Sequence, residues 1–205
     1  HKSDYTNYTT FSLWDTYRAL HPLLTIVQPK RTPDIIQSML AHSQESAHGI
    51  LPIWSHHANE NWCMIGYHGV SVVADAYLKG YLPKMGESIW KAVEKSANLD
   101  WYDGLGEYKK YGFIPDNLSS NSVSKTLEFA YDDFTIGKLA EKMGKKERAA
   151  YYFNRASNYR NQFNKETGFM QARLQDGLFK TPFDPKSTEN QGFIEGNAWN
   201  YSLYV

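Results

Sequence analysis

The sequence predicts an all-α fold in which two kinds of helix alternate along the chain. Long stretches carry apolar side chains at helical spacing, which is the primary signal for helix. Some of these stretches are apolar nearly all round, whereas others are apolar on one face only. Gly, Pro or a capping residue stands at most of their ends. Buried inner helices covered by amphipathic outer helices satisfy these observations together.

Two helices are predicted in the N-terminal quarter of the chain. The first starts at Ser12 and runs to about Ile26, with Ser12 and Asp15 at the spacing of a capping box. The second opens at Thr32-Pro33-Asp34, because Thr caps a helix, Pro suits its first position and Asp favours its positive end. Its apolar side chains share one face, as expected of an outer helix: Ile35, Ile36, Met39 and Leu40.

Four further stretches continue the alternation. A helix that is apolar on every side is predicted from Trp62 to Lys79, and an amphipathic one from about residue 85 to 99. Residues 122–143 are again apolar around most of the circumference, with Phe134 among the side chains expected to be buried. Residues 145–163 return to a single apolar face. This order predicts inner and outer helices in turn.

The C-terminal part adds a short β-hairpin and the start of another helix. The hairpin is predicted near residues 169–180, turning at Asp176-Gly177. The helix begins at Glu195 or Asn197. Because the inner helices start at uneven intervals, the pattern favours an α/α toroid over a superhelical repeat, which keeps a fixed period.

Composition and charge exclude several classes of protein. The 22 basic and 22 acidic side chains give a net charge of zero, which argues against nucleic acid or an anionic membrane as partner. No stretch approaches the roughly 18 consecutive apolar residues of a membrane span. The chain's 1 cysteine, Cys63, excludes a disulfide framework and is expected to be an inert thiol on a buried helix. His56 and His57 resemble a metal pair, but adjacent side chains point apart and a third ligand is not evident.

Chemically capable side chains gather where the predicted inner helices begin. These residues are Trp14, Asp15, Glu60, Trp62, Asn197 and Trp199. If the inner helices run parallel around a barrel, their N-terminal ends meet at one rim. Aromatic faces together with carboxylates and amides suit a pyranose, which offers C–H faces to stack and hydroxyls to bind. On the residues alone, Asp15 and Glu60 could equally be helix-start carboxylates, and the tryptophans could be core.

Glu195 is the sharpest candidate among these residues. A carboxyl group pressed against Phe193 and Trp199 would lose hydration, which raises its pKa toward the range of a proton donor. A carboxylate at a helix N-terminus would instead have a lowered pKa. The residues alone leave both interpretations open.

Four segments resemble the motifs of glycoside hydrolase family 92, the calcium-dependent exo-acting α-mannosidases. They are FSLWDTYRALHPLLTI (11–26), NENWCMIGYH (59–68), SVSKTLEFAYDDF (122–134) and FIEGNAWNYS (193–202). They follow the order of the family and extend over essentially the whole chain. The resemblance implies part of an (α/α)6 barrel of alternating inner and outer helices, and an enzyme that releases terminal α-mannose with inversion.

The resemblance also implies roles for individual residues. Glu195 of the Glu-Gly-Asn-Ala-Trp motif corresponds to the general acid of the family, and Trp14 and Asp15 to its mannose-binding subsite. Glu60 and Trp62 lie in a motif that borders the same pocket.

Asn197 and Trp199 share the acid motif and are expected to bind substrate. Asn61, Phe134 and Asn200 depart from the family pattern, which commonly has Thr, Trp and Gln there.

The resemblance further implies parts that these residues do not include. Residues 1–205 are expected to be a partial catalytic domain, with a β-sandwich before it and the rest of the barrel after it. The catalytic base and the calcium ligands are expected in that later part, so residues 1–205 alone are expected to be inactive. The family acts outside the cytoplasm on mannose-containing glycans, including N-glycans. Two alternatives stay open: a non-catalytic carbohydrate-binding or scaffold module, and another α/α-barrel glycosidase.

Overall fold

The computed structural model describes residues 4–56 and 59–204. They fall into two compact units: His1–Asn98 with Thr135–Tyr151, and Leu99–Phe134 with Tyr152–Val205. Helices dominate both units and the strands are only two or three residues long, which confirms the predicted all-α class. In the described part of the chain, no helix is both long enough and apolar enough to cross a bilayer.

The first unit combines helices with a small antiparallel sheet. Its elements are β1 (Phe11–Ser12), α1 (Leu13–Thr16), α2 (Leu20–Val27), α3 (Thr32–Glu45), β2 (Trp54–His56), β3 (Asn59–Glu60), α4 (Gly69–Leu78) and α5 (Gly86–Ser96). The sheet order is β1-β2-β3, with Ser55 of β2 opposite both Phe11 and Glu60. This sheet brings the segments that carry two of the sequence motifs side by side.

The second unit contains the remaining elements. They are α6 (Leu105–Tyr111), most of α7 (Ser122–Lys142), the end of α8 (Lys146–Ala156), a 3₁₀ helix (Ser157–Gln162), β4 (Phe163–Asn164), β5 (Phe169–Met170) and α9 (Ala198–Tyr201). The sequence pattern did not predict α6, a short helix that begins after Gly104 and ends at Gly112, both with positive φ. Glycine adopts this conformation without steric cost.

The second predicted helix is confirmed as α3. All four of its predicted apolar residues are buried, and Pro33 lies in its first turn. Thr32 is the first helical residue and Arg31 the cap, so the start differs from the expectation by one position. The helix-start residues and the one-sided apolar pattern indicate the same segment, so together they locate the helix.

The later helices confirm the pattern with two exceptions. Buried apolar side chains line α7 along most of its length: Val123, Leu127, Phe129, Ala130, Ile136, Leu139 and Ala140. Phe134 was expected among them but is 52% exposed, and its ring lies tilted to that of Phe153 at a centroid distance of 5.9 Å. The predicted helix at 145–163 ends its α-helical part at Ala156 and continues as the 3₁₀ turn, which leaves Phe163 exposed.

The first predicted helix is wrong as a single element. The chain forms α1, breaks at residues 17–19 and resumes as α2. Ser12 pairs with Trp54 in the sheet and makes no side-chain cap, so the capping box expected with Asp15 does not form. None of the residues of α2, all of which the structure describes, is buried. The described residues therefore leave α2 uncovered, although its apolar sequence predicted an inner helix.

The third predicted helix starts seven residues late, since α4 begins at Gly69. Trp62, Met64 and Gly66 all have positive φ, which is incompatible with a right-handed helix. Gly66 is needed because a Cβ there would lie 2.2 Å from Nε2 of His68. Cys63 lies in this irregular segment and is exposed, so its expected place on a buried helix is wrong.

The predicted hairpin is confirmed at its turn and corrected at its start. The amide of Gly177 donates to the carbonyl of Leu174 at 2.8 Å, and Arg173 forms a bridge with Phe179. The first predicted strand residues, Phe169–Met170, pair with Phe163–Asn164 instead. One short strand pair and one isolated β-bridge therefore replace one longer hairpin.

A buried ion pair stabilises the second unit. Asp133, in the middle of α7, is fully buried and accepts two hydrogen bonds from Arg155, with the Nε bond at 2.7 Å. The Tyr108 hydroxyl donates to the same carboxylate at 2.9 Å. Burial, reinforced by the nearby Asp133 charge, raises the pKa of Tyr108, which keeps the hydroxyl protonated. Asp is unfavourable in the middle of a helix, and at Asp133 this ion pair offsets the cost.

Candidate active site

Trp14 and Asp15 lie on α1, which is fixed from both ends. The Leu13 amide donates to the Ile53 carbonyl at 3.2 Å, and the Leu13 side chain is fully buried. At the other end Tyr17 stacks on His68, with ring centroids 3.7 Å apart and planes 6° apart. Both anchors lie in the first unit, and they hold the short helix against the loop that leads into α4.

The two side chains of this helix have different surroundings. Trp14 is half-buried, and the Arg18 guanidinium lies 4.7 Å from the centroid of its ring. Asp15 is exposed and has no hydrogen-bond or ion-pair partner among the described residues. Asp15 lies in the first turn of α1, as expected of a helix-start carboxylate, but it makes no capping hydrogen bond. Its carboxylate is available to accept hydrogen bonds from a ligand.

Glu60 organises the loop around it. Its side chain is only 3% exposed. One carboxylate oxygen accepts from the Ile53 amide at 2.8 Å, and the other from the Trp54 amide at 2.7 Å and, more weakly, from those of Asn61 and Trp62. Glu60 lies in β3 and not in a first helical turn, which corrects that interpretation. These hydrogen bonds fix the backbone of the loop that carries Trp62. Direct contact of Glu60 with substrate stays a prediction.

Trp62 lies in a segment whose backbone conformation is strained. It is half-buried with φ of 56°, a conformation that costs a residue with a side chain about 1 to 2 kcal/mol. His48 lies against it edge-on, with ring centroids 4.9 Å apart. Strain of this kind clusters at functional sites, where the surroundings over-determine the backbone.

Sequence reasoning missed His42 and Ser55, which lie next to Glu60. Nδ1 of His42 lies 3.4 Å from Oγ of Ser55, and its Nε2 lies 4.0 Å from Oε2 of Glu60. Burial lowers the pKa of His42, although the Glu60 charge opposes the shift. A polar cleft of about 340 Å³ opens beside these residues, lined also by Tyr8 and Glu45. No local signal marks this group, because its members come from separate elements.

We expect Glu60→Gln to lower the free energy of unfolding by about 1 to 3 kcal/mol, the cost of leaving a buried polar group unsatisfied. The amide nitrogen of Gln cannot accept, so at least one of the four backbone amides loses its partner. Urea unfolding of the full-length polypeptide measures the change. Glu45→Gln, an exposed carboxylate at the same cleft, is the matched control and should change little. Equal stability of the two variants would contradict the structural role of Glu60.

Glu195 lies in the second unit on an unusual backbone. Its φ is 47°, in the left-handed region, and its side chain is exposed with no partner among the described residues. Phe193 packs instead against Tyr201 and Trp199 against Phe169. The expected burial of the Glu195 carboxyl between Phe193 and Trp199 is therefore wrong for this chain. The Glu195 carboxyl group is therefore exposed to solvent and is not enclosed by the two aromatic rings.

Asn197 caps the helix that follows. Its Oδ1 accepts from the amides of Trp199 at 3.1 Å and Asn200 at 3.4 Å, and Oδ1 of Asn200 accepts from the Asn197 amide at 3.1 Å. This reciprocal capping box confirms that the helix starts here. Asn200 thus supplies the bond that a Gln at that position makes in a capping box. A substrate-binding role for Asn197 stays a prediction.

Trp199 is displayed to solvent. It is 59% exposed and contacts Phe169 edge-on at a centroid distance of 4.8 Å. The alternative that it is a core residue is wrong. An exposed indole supported at its edge suits stacking against the C–H face of a sugar.

The structure groups the predicted residues within each unit. In the first unit Trp14, Asp15, Glu60 and Trp62 all lie in segments that extend directly from the three-stranded sheet. In the second, all three predicted residues lie within the stretch 195–199.

The described residues do not fit a calcium site. No group of three or more His, Cys, Asp or Glu side chains within them could hold a metal ion. His57, half of the adjacent histidine pair, lies outside the described residues. No chemical step in this chain is therefore assigned to calcium.

Comparison with known proteins identifies the family. Residues 1–205 match the family model of the glycosyl hydrolase family 92 catalytic domain. A protein of Arthroderma benhamiae named as a secreted glycosidase is 31% identical in an alignment 172 residues long, which covers 65% of this chain and 22% of that protein.

Solved structures agree with this match. A family 92 α-mannosidase of Bacteroides thetaiotaomicron is 44% identical with a TM-score of 0.94, covering 99% of this chain and 27% of that one. A family 92 inverting mannosidase of the same species is 33% identical with a TM-score of 0.92, covering 98% of this chain and 28% of that one. The chain thus spans between 22% and 28% of the length of these relatives. It belongs to glycoside hydrolase family 92, within the catalytic domain.

Proposed function

We propose that the chain forms part of an exo-acting α-mannosidase that removes terminal α-mannose from glycans, N-glycans among them, by single displacement with inversion. The observation that carries this proposal is Glu195, an exposed carboxyl group on a residue held at positive φ, four positions before the exposed Trp199 in the same motif. A module that only binds sugar needs hydrogen-bond acceptors but no proton donor. Family membership, and relatives that are named mannosidases, support the substrate class.

In the proposed reaction Glu195 acts as general acid. Its proton passes to the glycosidic oxygen as the bond from that oxygen to C1 of mannose breaks. A water molecule, deprotonated by a carboxylate on the opposite face of the sugar, forms the new bond to C1. The family resemblance assigns that base to a region beyond the 205 residues. Inversion follows because the water attacks from the face opposite the leaving group.

The other predicted residues have binding roles in this proposal. Asp15 accepts hydrogen bonds from mannose hydroxyls, since its carboxylate is exposed and has no other partner among the described residues. Trp14, Trp62 and Trp199 supply aromatic surface. Calcium is a proposed cofactor of the full-length enzyme, with ligands outside this chain. The enzyme is proposed to act outside the cytoplasm, as the name of the fungal relative indicates for that protein.

We expect the full-length polypeptide to release mannose from the methyl glycoside of α-mannobiose and to form β-mannose first. In this substrate the reducing end is blocked, so the released mannose is the only product with a free anomeric centre. Proton NMR of the anomeric signals during the first minutes measures this directly, with and without a calcium chelator. Residues 1–205 alone are expected to release none. Initial formation of α-mannose would contradict inversion. If no α-mannoside were cleaved at all, the non-catalytic sugar-binding module would replace this proposal.

A further inference from the structure

Both main-chain polar groups of Ile194, the residue that precedes Glu195, are held by side chains. The amide of Ile194 donates to Oγ of Ser124 at 3.1 Å. The carbonyl of Ile194 accepts from the hydroxyl of Tyr201 at 2.8 Å. Both partners belong to the second unit, and both are buried. The main chain therefore enters Glu195 from a position fixed by two side chains.

Tyr201 also fixes the chain on the other side of Glu195. A Cβ added to Gly196 would lie 2.9 Å from Cε2 of Tyr201, so the ring lies directly over that glycine. The ring packs against Phe193, with centroids 5.5 Å apart, and its hydroxyl reaches back to Ile194. One side chain thus contacts the residues before and after the carboxyl-bearing position.

Ser124 is anchored by the same loop. The amides of Val123 and Ser124 both donate to the Gly192 carbonyl, at 2.9 and 3.2 Å. These bonds tie the loop to the first turn of α7, where Ser124 is fully buried. The Ser124 hydroxyl is therefore fixed in position, and its hydrogen bond with the Ile194 amide holds the loop there.

We infer that Ser124 and Tyr201 are positioning residues that hold Glu195 in the orientation of a working general acid. The inference rests on the proposed function, because it assumes that Glu195 donates the proton. A residue at φ of 47° relaxes to the ordinary region of backbone conformation unless its surroundings prevent this. The hydrogen bonds from Ile194 to Ser124 and from Tyr201 to Ile194 prevent this relaxation. A general acid must lie within about 2.6 to 3.2 Å of the oxygen it protonates, so a small rotation before Glu195 weakens the transfer.

The test is Tyr201→Phe in the full-length polypeptide, which removes the hydroxyl and keeps the ring. On α-mannobiose, whose leaving group needs protonation, we expect kcat to fall about tenfold to a hundredfold with KM unchanged within about twofold. On an activated aryl α-mannoside, which needs little protonation, we expect kcat to change less than about twofold. Ser124→Ala removes the acceptor of the Ile194 amide, the other main-chain group of that residue, and should show the same selective loss.

Tyr159→Phe is the matched control. Its ring packs against the same core cluster as Tyr201, and its hydroxyl contacts Arg160 at 3.4 Å near the surface. It should leave both substrates unaffected. Equal losses on both substrates in Tyr201→Phe and Ser124→Ala would overturn the inference in favour of a general structural role. Unchanged activity on both substrates in these two variants would overturn it as well.

Glu195→Gln, assayed in parallel, separates failure of this inference from failure of the proposed function. If Glu195→Gln keeps its activity on α-mannobiose, the acid assignment fails and the inference fails with it. If Glu195→Gln loses that activity while Tyr201→Phe and Ser124→Ala keep it, only the inference fails. Selective loss in all three variants supports both.

Discussion

Glu195→Gln in the full-length polypeptide is expected to lower kcat on α-mannobiose by about two to four orders of magnitude. The amide has nearly the shape of the carboxyl group but cannot give up a proton to the leaving oxygen. Because Glu195 is exposed and has no partner among the described residues, the change removes no internal hydrogen bond. Stability should therefore hold while turnover falls, which steady-state kinetics and a thermal melt measure together.

The control for this variant is Glu189→Gln. Glu189 is exposed in the irregular segment that leads to Glu195, and it should tolerate the change with full activity. An activated aryl α-mannoside should also lose much less turnover than α-mannobiose in Glu195→Gln. Nearly full activity of that variant on α-mannobiose would make Glu195 only a carboxylate near a helix start.

Asp133→Asn is expected to lower the free energy of unfolding by about 3 to 5 kcal/mol. The change leaves the buried Arg155 guanidinium without the carboxylate that binds two of its nitrogens. It also weakens the acceptor of the Tyr108 hydroxyl. A charge left without its counter-charge in the interior is far more costly than the loss of one neutral hydrogen bond. Urea unfolding of the full-length polypeptide measures the effect.

Glu141→Gln is the matched control for the ion pair. Glu141 also lies on α7 and pairs with Lys138 at 2.6 Å, but both side chains are about half exposed. Exposed pairs of this kind contribute at most about 1 kcal/mol. If Asp133→Asn were no more destabilising than Glu141→Gln, the buried pair would have no special role in stability.

The helices that local signals mark on their own were predictable. In α3 the Thr-Pro-Asp start and the one-sided apolar pattern point to the same residues, and the structure agrees within one position. Asn197 is a similar case, because a capping residue precedes a short apolar run. In both cases the deciding interactions lie within a few residues of each other in the sequence.

The segment from Trp62 to Gly66 was not predictable in this way. Its apolar composition suits a helix, but the Glu60 carboxylate binds backbone amides on both of its sides and draws the chain into a loop. Phe134 shows the converse limit, because composition cannot tell which side of an apolar helix lacks a covering neighbour. Tertiary contacts decided both cases.

The candidate site was predictable in its residue types but not in its geometry. Glu195 and Trp199 were identified from the motif they share, yet nothing local indicated that both are exposed. Ser124 was missed as a partner of the acid loop because it lies 70 residues away from Ile194 in the sequence. Long-range hydrogen bonds of this kind leave no periodic signal.

At Glu195 the backbone conformation lowers stability, whereas the carboxyl side chain is proposed to be needed for turnover. A left-handed φ costs a residue with a side chain about 1 to 2 kcal/mol, and glycine avoids that cost. A library ranked by heat resistance alone would therefore favour Glu195→Gly and enrich inactive clones. Engineering of this enzyme for industrial heat tolerance should keep this codon fixed and search elsewhere, since protein stability and activity are often opposed at strained functional residues.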